Sequence, residues 1–534
     1  MAHVYPEGCT FSSTADIRGK KITVMGLGLN GGGEASARFF LKHGAFVTVT
    51  DLKTEKQLRS SVDSLMSDAS VDKSRLKLVL GGHNIEDFKG ADCVIKNPVV
   101  KVEGNEFLAA ARAIETDISV FLAFSKAPII AVTGSKGKSS TVSSLSYGLE
   151  QAGFESFSGG NIATSPLSFL DKTDGMSPVV LELSSWQLAD LRGRHLLKPK
   201  IAIITKIVPD HQNWYADMES YVADKKLLFC QQGKDDFAIF DFDKDGYLKE
   251  CPNPRTDFQT WGDVFASEAP SRVFRCSRTL LPKGVFGAFQ RHLSGQFYAG
   301  YARLPSDLLK TRDKGKEAAE ERLLGKLQVP GEHTRGNVLT AALAMRLMGV
   351  ASEQIENIMA GWKGIPHRLE KCHEWRCPSD GRKVAFYNDS CSTVPESCAA
   401  AVGSFNRRVV LIAGGTDKNL DFRPLARCLD PRRPALQLPC ETYLLSGSGT
   451  DKLIPLLQQR HIKFEGPFDS LKILLEVLKT CLLSDSAKKV YGEVYSDAFL
   501  PVVFSPGAAS FEMFTNEFDR GDTFKKLVRD MFKR

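Results

Sequence analysis

Ile129-Ile130-Ala131-Val132-Thr133-Gly134-Ser135-Lys136-Gly137-Lys138-Ser139-Ser140 decides how this sequence reads. The apolar run Ile129 to Val132 predicts a buried strand, and Thr141 to Gln151 predicts an amphipathic helix. Between them a glycine-rich turn delivers Lys138 and Ser139 to the helix. Strand, loop and helix in this order make a phosphate-binding loop, whose glycines let successive N–H groups point inward at the positive end of a helix. In such a loop Lys138 reaches the outer phosphates and the Ser139 hydroxyl ligates Mg²⁺. The spacing Gly-x-x-Gly-Lys-Ser is shorter than the full pattern, and an ordinary surface turn is the plain alternative. The flanking strand and helix favour ATP, held by Gly134, Ser135, Lys136, Gly137, Lys138, Ser139 and Ser140.

A second loop lies upstream. Lys20 to Met25 predicts a strand, Glu34 to His43 a helix, and Phe46 to Thr50 a second strand ending in Asp51. The turn Gly26-Leu27-Gly28-Leu29-Asn30-Gly31 and the acid that follows match a dinucleotide fingerprint. Yet such a turn offers amides to any diphosphate, and the acid accepts from any sugar hydroxyl or base N–H. The residues alone leave NAD(P) and another nucleotide open.

The remaining chain alternates strands and helices, which makes the class α/β. Strands are predicted at Leu76 to Leu80, Asp92 to Ile95, Val179 to Leu183 and Ile201 to Thr205. In the last third they fall at Val384 to Tyr387, Val409 to Ala413, Thr442 to Leu445 and Val502 to Ser505. Glu182 sits inside an apolar strand, where a carboxylate is costly unless it is ion-paired or holds a metal. Pro209-Asp210-His211 follows another strand, on the rim where α/β sheets bind ligands. A helix from Ser220 to Phe229 carries Lys225 and Lys226, and another runs from Val338 to Met348. From Asp241 to Lys326 the pattern weakens, and Ser306 to Lys326 reads as a solvated helix or loop.

A chain of 534 residues needs two to four domains, and 43% apolar with 25% charged residues is ordinary for a globular protein. The net charge of +7 is spread out, without the basic-aromatic cluster that marks nucleic-acid binding. No apolar run is long enough to span a bilayer, and Met1 to Lys21 lacks a signal-peptide core. The twelve cysteines form no C-x-x-C pair, and Cys372, His373 and Cys377 lack a fourth zinc ligand. Reduced thiols in a cytoplasmic protein are the expectation.

The motifs TGSKGKSS, GGNI, LELSSWQL, DH, YVADK, GEHTRGN, PHR, NDS, GGTDKNLDF and SPGAAS stand in one order along the chain. Together they resemble the Mur ligases, and the NDS, GGTDKNLDF and SPGAAS elements favour the branch that adds D-glutamate. The resemblance covers nearly the whole chain, with about 241–326 as an insertion. It implies three α/β domains: a Rossmann-like UDP-binding sheet at 1–126, a central P-loop ATPase-type sheet at 127–364, and a C-terminal Rossmann-like amino-acid-binding sheet at 365–534. The implied activity is ATP-dependent amide ligation of D-glutamate to UDP-N-acetylmuramoyl-L-alanine through an acyl phosphate, a step of peptidoglycan precursor synthesis. A related ligase of the Mur or folylpolyglutamate type, with another amino acid or acceptor, is the alternative. The implied enzyme is a monomer without nucleic-acid or membrane partners.

The resemblance also assigns residues. Gly28, Leu29, Asn30 and Asp51 face UDP rather than NAD. Lys138 holds the γ-phosphate, and Ser139 and Glu182 hold a first Mg²⁺. His211 and Lys225, the latter as a carbamate, serve a second. Asn161 touches the muramoyl-alanine moiety. His333, Asn337, Arg368 and Asp389 approach ATP, while Thr393, Lys418 and Ser510 take D-glutamate. Some positions depart from the pattern. Cys391 replaces the usual lysine, Lys136 and Lys206 replace asparagines, and Asn213 replaces an aspartate. Lys136 or Lys206 is expected to restore the positive charge that Cys391 lacks.

Overall fold

A computed structural model describes residues 8–162, 164–210, 214–243, 260–293, 297–309, 318–405, 407–432, 439, 441–484 and 499–533. The chain forms two compact units, Met1–Lys326 with Gly336–Ala360, and Leu327–Arg335 with Gly361–Arg534.

The first unit holds two sheets. One is all parallel: β1 (Lys21–Met25), β2 (Phe46–Asp51), β3 (Leu76–Leu80), β4 (Cys93–Lys96) and β5 (Ile114–Glu115), in the order β3-β2-β1-β4-β5. The order reverses at β1, so its C-terminal end opens into a crevice, and the glycine-rich turn lies there. The helix Gly32–Lys42 packs back on this turn without space for a side chain. A Cβ on Gly33 would stand 2.1 Å from Gly26 O.

The second sheet has nine strands: β6 (Ile129–Thr133), β7 (Phe157–Gly160), β8 (Val179–Glu182), β9 (Ile201–Ile204), β10 (Phe237–Asp241), β11 (Arg272–Ser277), β12 (Gly287–Leu293), β13 (Phe297–Pro305) and β14 (Ala318–Leu324). Their order is β14-β13-β12-β11-β10-β9-β6-β8-β7. Strands β6, β8 and β9 are buried along their whole length, which is why they read as continuous apolar runs. The chain leaves β6 to one side for β7 and β8 and to the other for β9. The phosphate-type loop therefore sits at this sheet's switch point.

Strands β11 to β14 correct the sequence reading of Asp241 to Lys326. They extend the central sheet, with β13 antiparallel to both β12 and β14. In Ser306 to Lys326, read as a solvated helix or loop, Ala318–Leu324 is a strand. Its charges pair across the surface, Glu320 with Arg291 and Arg303, and Glu321 with Arg346. Leu323 and Leu324 are buried at its end. Ion-paired charges on an edge strand hide the apolar period that marks strands in sequence.

The second unit carries β15 (Glu370–Arg376), β16 (Lys383–Asn388), β17 (Val410–Ala413), β18 (Glu441–Leu445), β19 (Glu465–Phe468) and β20 (Leu500–Phe504), in the order β15-β16-β20-β17-β18-β19. Only β15 runs antiparallel to its neighbour. Alternate residues divide between two cores: Phe386, Val502 and Phe504 on one face, Ala385, Leu411 and Val503 on the other. Because β16, β20 and β17 are adjacent, the loops that follow them meet at one end of the sheet.

Candidate active site

At the end of β6 the chain turns through Gly134 (φ 144°) and Gly137 (φ 98°). A Cβ would stand 2.0 Å from Thr205 Oγ1 at the first and 2.5 Å from Asn337 Oδ1 at the second. Gly137 caps the helix Lys138–Gln151, which begins three residues before the amphipathic pattern showed and so carries Lys138, Ser139 and Ser140 on its first turn. Lys138 Nζ curls back onto Gly134 O at 2.8 Å and Ser135 O at 3.2 Å. Ser135 is buried, its Oγ bonded to Val208 O at 2.8 Å and to Tyr221 OH at 3.0 Å. The N–H groups of Ser135 and Lys136 donate to Lys206 O, while the exposed Lys136 ammonium pairs with Asp210 at 3.4 Å.

Glu182 ends β8 beside this loop and is 1% exposed. Its Oε1 accepts from Asn161 Nδ2 at 2.9 Å, whereas Oε2 has no hydrogen-bond partner among the described residues. A bare buried carboxylate oxygen is costly unless a cation meets it. With the Ser139 hydroxyl on the first helical turn, the donor set suits a hard divalent cation.

Lys225, on the helix Met218–Lys226, is as buried as Glu182 and donates to Gly134 O at 3.1 Å and Thr133 Oγ1 at 3.4 Å. Burial first, and then the charge of Lys138, hold its pKa well below the usual lysine value. Its ammonium lies 4.5 Å over the Tyr221 ring. Tyr221 thus touches both Ser135 and Lys225, a role its position four residues before Lys225 on a helix could have suggested. Lys226 turns away and pairs with Glu268 at 2.8 Å. His211 and Asn213 lie outside the described residues. Asn337, half-buried, presses against Gly137. His333, exposed, stands one turn earlier on the same helix, Glu332–Leu347.

In the first sheet Asp51 holds the glycine-rich turn directly. Its Oδ2 accepts from Gly28 N at 3.0 Å and its Oδ1 from Lys53 N at 2.9 Å. Leu29 and Asn30 are exposed at the turn. Between this sheet and the central one, Lys96 and Asp190 form a buried ion pair at 2.8 Å beside a cleft of about 580 Å³. Trp186 and Trp214 meet in its wall with tilted rings, their centres 4.7 Å apart, and Lys101 lies 4.2 Å over Trp214. Nothing in the sequence marked this aromatic wall, because its residues come from three distant segments.

In the second unit the loops after β16, β17 and β20 gather the remaining candidates. Lys418 Nζ donates to Thr393 Oγ1 at 3.3 Å. Thr416 and Ala509 exchange backbone hydrogen bonds of 3.0 Å, which brings the buried Ser510 to the same place. Asp389 accepts from Ser505 Oγ at 2.6 Å and Leu369 N at 3.0 Å, and burial pushes its carboxyl up to about 7. The exposed Arg368 opposes that rise electrostatically. Burial likewise pushes the Cys391 thiol up to about 11, so it is neutral at pH 7. Sequence reasoning missed Arg520. Its guanidinium is 1% exposed and bonds Ser390 O at 2.8 Å, Ala508 O at 3.0 Å and Ala509 O at 2.9 Å.

Comparison with known proteins gives the family and the fold. Residues 132–263 match the Mur ligase middle domain. The UDP-N-acetylmuramoylalanine–D-glutamate ligase of Treponema pallidum is 40% identical, covering 97% of this chain and 99% of that one. The chain belongs to the UDP-N-acetylmuramoylalanine–D-glutamate ligase family. The Borreliella afzelii ligase of the same name is 37% identical over 96% of this chain and 98% of its own. Among solved structures, the MurC ligase of Thermotoga maritima superposes with a TM-score of 0.53 at 16% identity, covering 96% of this chain and 99% of that one. At that identity the likeness speaks for the Mur ligase fold.

Proposed function

We propose that this protein joins D-glutamate to UDP-N-acetylmuramoyl-L-alanine at the expense of ATP, in peptidoglycan precursor synthesis and hence in cell shape and division. The observation that carries the reading is the 40% identity to a D-glutamate ligase along essentially the whole of both chains. In it, residues 1–126 take the UDP end of the substrate, 127–364 take ATP, and 365–534 take the amino acid. Gly28, Leu29, Asn30 and Asp51 meet the uridine diphosphate, and Asn161 the muramoyl-alanine end. Gly134 to Ser140, His333, Asn337, Arg368 and Asp389 are the residues assigned to ATP.

Phosphoryl transfer to the alanyl carboxylate and attack by the amine both concentrate negative charge, so positioned cations supply most of the rate. Lys138 exchanges its loop carbonyls for the γ-phosphate. Ser139, Glu182, His211 and Lys225 would hold Mg²⁺ in two sites, where the cation would neutralise phosphate oxygens. An ammonium cannot ligate a cation. Lys225 joins the set as a carbamate, formed when its neutral amine adds to CO₂ and loses a proton. Thr393, Lys418 and Ser510 hold the D-glutamate carboxylates.

No helix among the described residues is long and apolar enough to cross a membrane. In this proposal the enzyme acts in the cytoplasm, as a monomer, on soluble nucleotides. The test is phosphate release from ATP with UDP-N-acetylmuramoyl-L-alanine, Mg²⁺ and amino acids offered singly. Release that requires both the nucleotide sugar and D-glutamate supports the proposal. Release with another amino acid overturns the specificity and keeps the ligase.

A further inference from the structure

Gln290 lies on β12, in the stretch that the sequence pattern set aside as elaboration. It is 5% exposed, and neither its Oε1 nor its Nε2 has a hydrogen-bond partner among the described residues. A primary amide brings two donors and an acceptor, and a protein rarely buries all of them unpaired. Methionine fills a similar volume without polar atoms, so packing alone does not call for glutamine here.

The surroundings say what the amide faces. Opposite Gln290 across the strand pair is Gly300, and Nε2 comes within 4.0 Å of the point where a Cβ of Gly336 would stand. Arg278 Cγ is 3.8 Å from that same point, while its Nε is committed to Asp243 Oδ2 at 2.6 Å. The next residue along the helix, Asn337, touches Gly137 of the phosphate loop. The orphaned amide therefore stands one residue of helix away from the nucleotide loop, beside backbone that carries no side chain.

We infer that Gln290 reads the base of the bound nucleotide. Its Oε1 accepts from the exocyclic amine of adenine, and its Nε2 donates to the adjacent ring nitrogen, a two-bond match that glutamine makes well. This rests on the ATP reading above and adds a residue that selects the base.

The test compares wild type with Q290M by calorimetric titration of ATP and ITP, whose base lacks the amine, alongside thermal unfolding of the nucleotide-free proteins. Q290M should unfold at an equal or higher temperature, bind ATP about tenfold more weakly or worse, and lose most of the preference for ATP over ITP. Unchanged ATP affinity and preference in Q290M overturn the inference. So does a clearly lower unfolding temperature in both Q290M and Q290L, which would mean that the amide is paired within the fold. Wild type that binds no ATP overturns the ligase reading itself, a result separate from either of these.

Discussion

Lys138 and Lys225 donate to the same carbonyl, Gly134 O, at 2.8 and 3.1 Å. Burial first, and then the charge of Lys138 on the same acceptor, drive the Lys225 pKa well below the usual lysine value. A buried lysine whose pKa is lowered in this way is chemically placed to become a carbamate. Lys225→Ala should lower kcat by about a hundredfold or more, as loss of a preorganised charged group does at such sites. A short carboxylate such as acetate should restore part of it. Turnover at the normal rate without rescue speaks against the carbamate.

The charge missing at Cys391 gives a second expectation. Lys136 and Lys206 are joined through the loop's backbone, where Ser135 N and Lys136 N both donate to Lys206 O. If their side chains supply the compensating charge, the double variant K136M/K206M should lose about tenfold or more in kcat/KM for ATP, with the backbone pairing left intact. Near-normal kinetics would sink the compensation idea.

Arg520 ties two amino-acid loops together through Ser390 O, Ala508 O and Ala509 O. Arg520→Met leaves three buried carbonyls without this donor, a loss of about 3 kcal/mol or more. Thermal unfolding should show that loss, and the KM for D-glutamate should rise more than the KM for ATP. An unfolding temperature within a degree or so of wild type, roughly 0.5 kcal/mol at most, would remove Arg520 from this role.

Asp389 predicts a pH dependence. Its carboxyl titrates near 3.8 when exposed and is pushed up to about 7 in the folded chain. Between those values the folded state keeps a proton that the unfolded state has lost. Stability therefore falls as pH rises through that window, by at most about 1.4 kcal/mol per pH unit, and levels off above it. Asp389→Asn keeps an acceptor for Leu369 N and has no proton to lose. Its unfolding temperature, measured between about pH 4 and 8, should change less with pH than that of wild type. Parallel profiles would show that another group is responsible.

Much of this protein could be read without a structure. Continuous apolar runs such as Ile129 to Val132 and Ile201 to Ile204, short and rich in β-branched residues, read as central strands with both faces covered. Glycine at 134 and 137 announced a turn that no other residue fits, as the 2.0 and 2.5 Å approaches there show. Glu182 was visible for the same reason: a carboxylate among apolar residues needs a partner, and its Oε2 has none among the described residues.

What sequence could not supply was anything set by contact between distant segments. Edge strand β14 was hidden because its charges are neutralised by Arg291, Arg303 and Arg346, residues far from it in the chain. Arg520 reads as one more helix-surface arginine until the fold brings the loops at 390 and 508–509 onto it. The tilted Trp186–Trp214 pair and the amide of Gln290, unpaired among the described residues, are of the same kind. Local pattern determines which residues can form a strand, a turn or a phosphate loop, since those depend on backbone geometry and neighbours in sequence. Burial and hydrogen-bond satisfaction belong to pairs that only the folded chain creates, and there the tertiary structure decided.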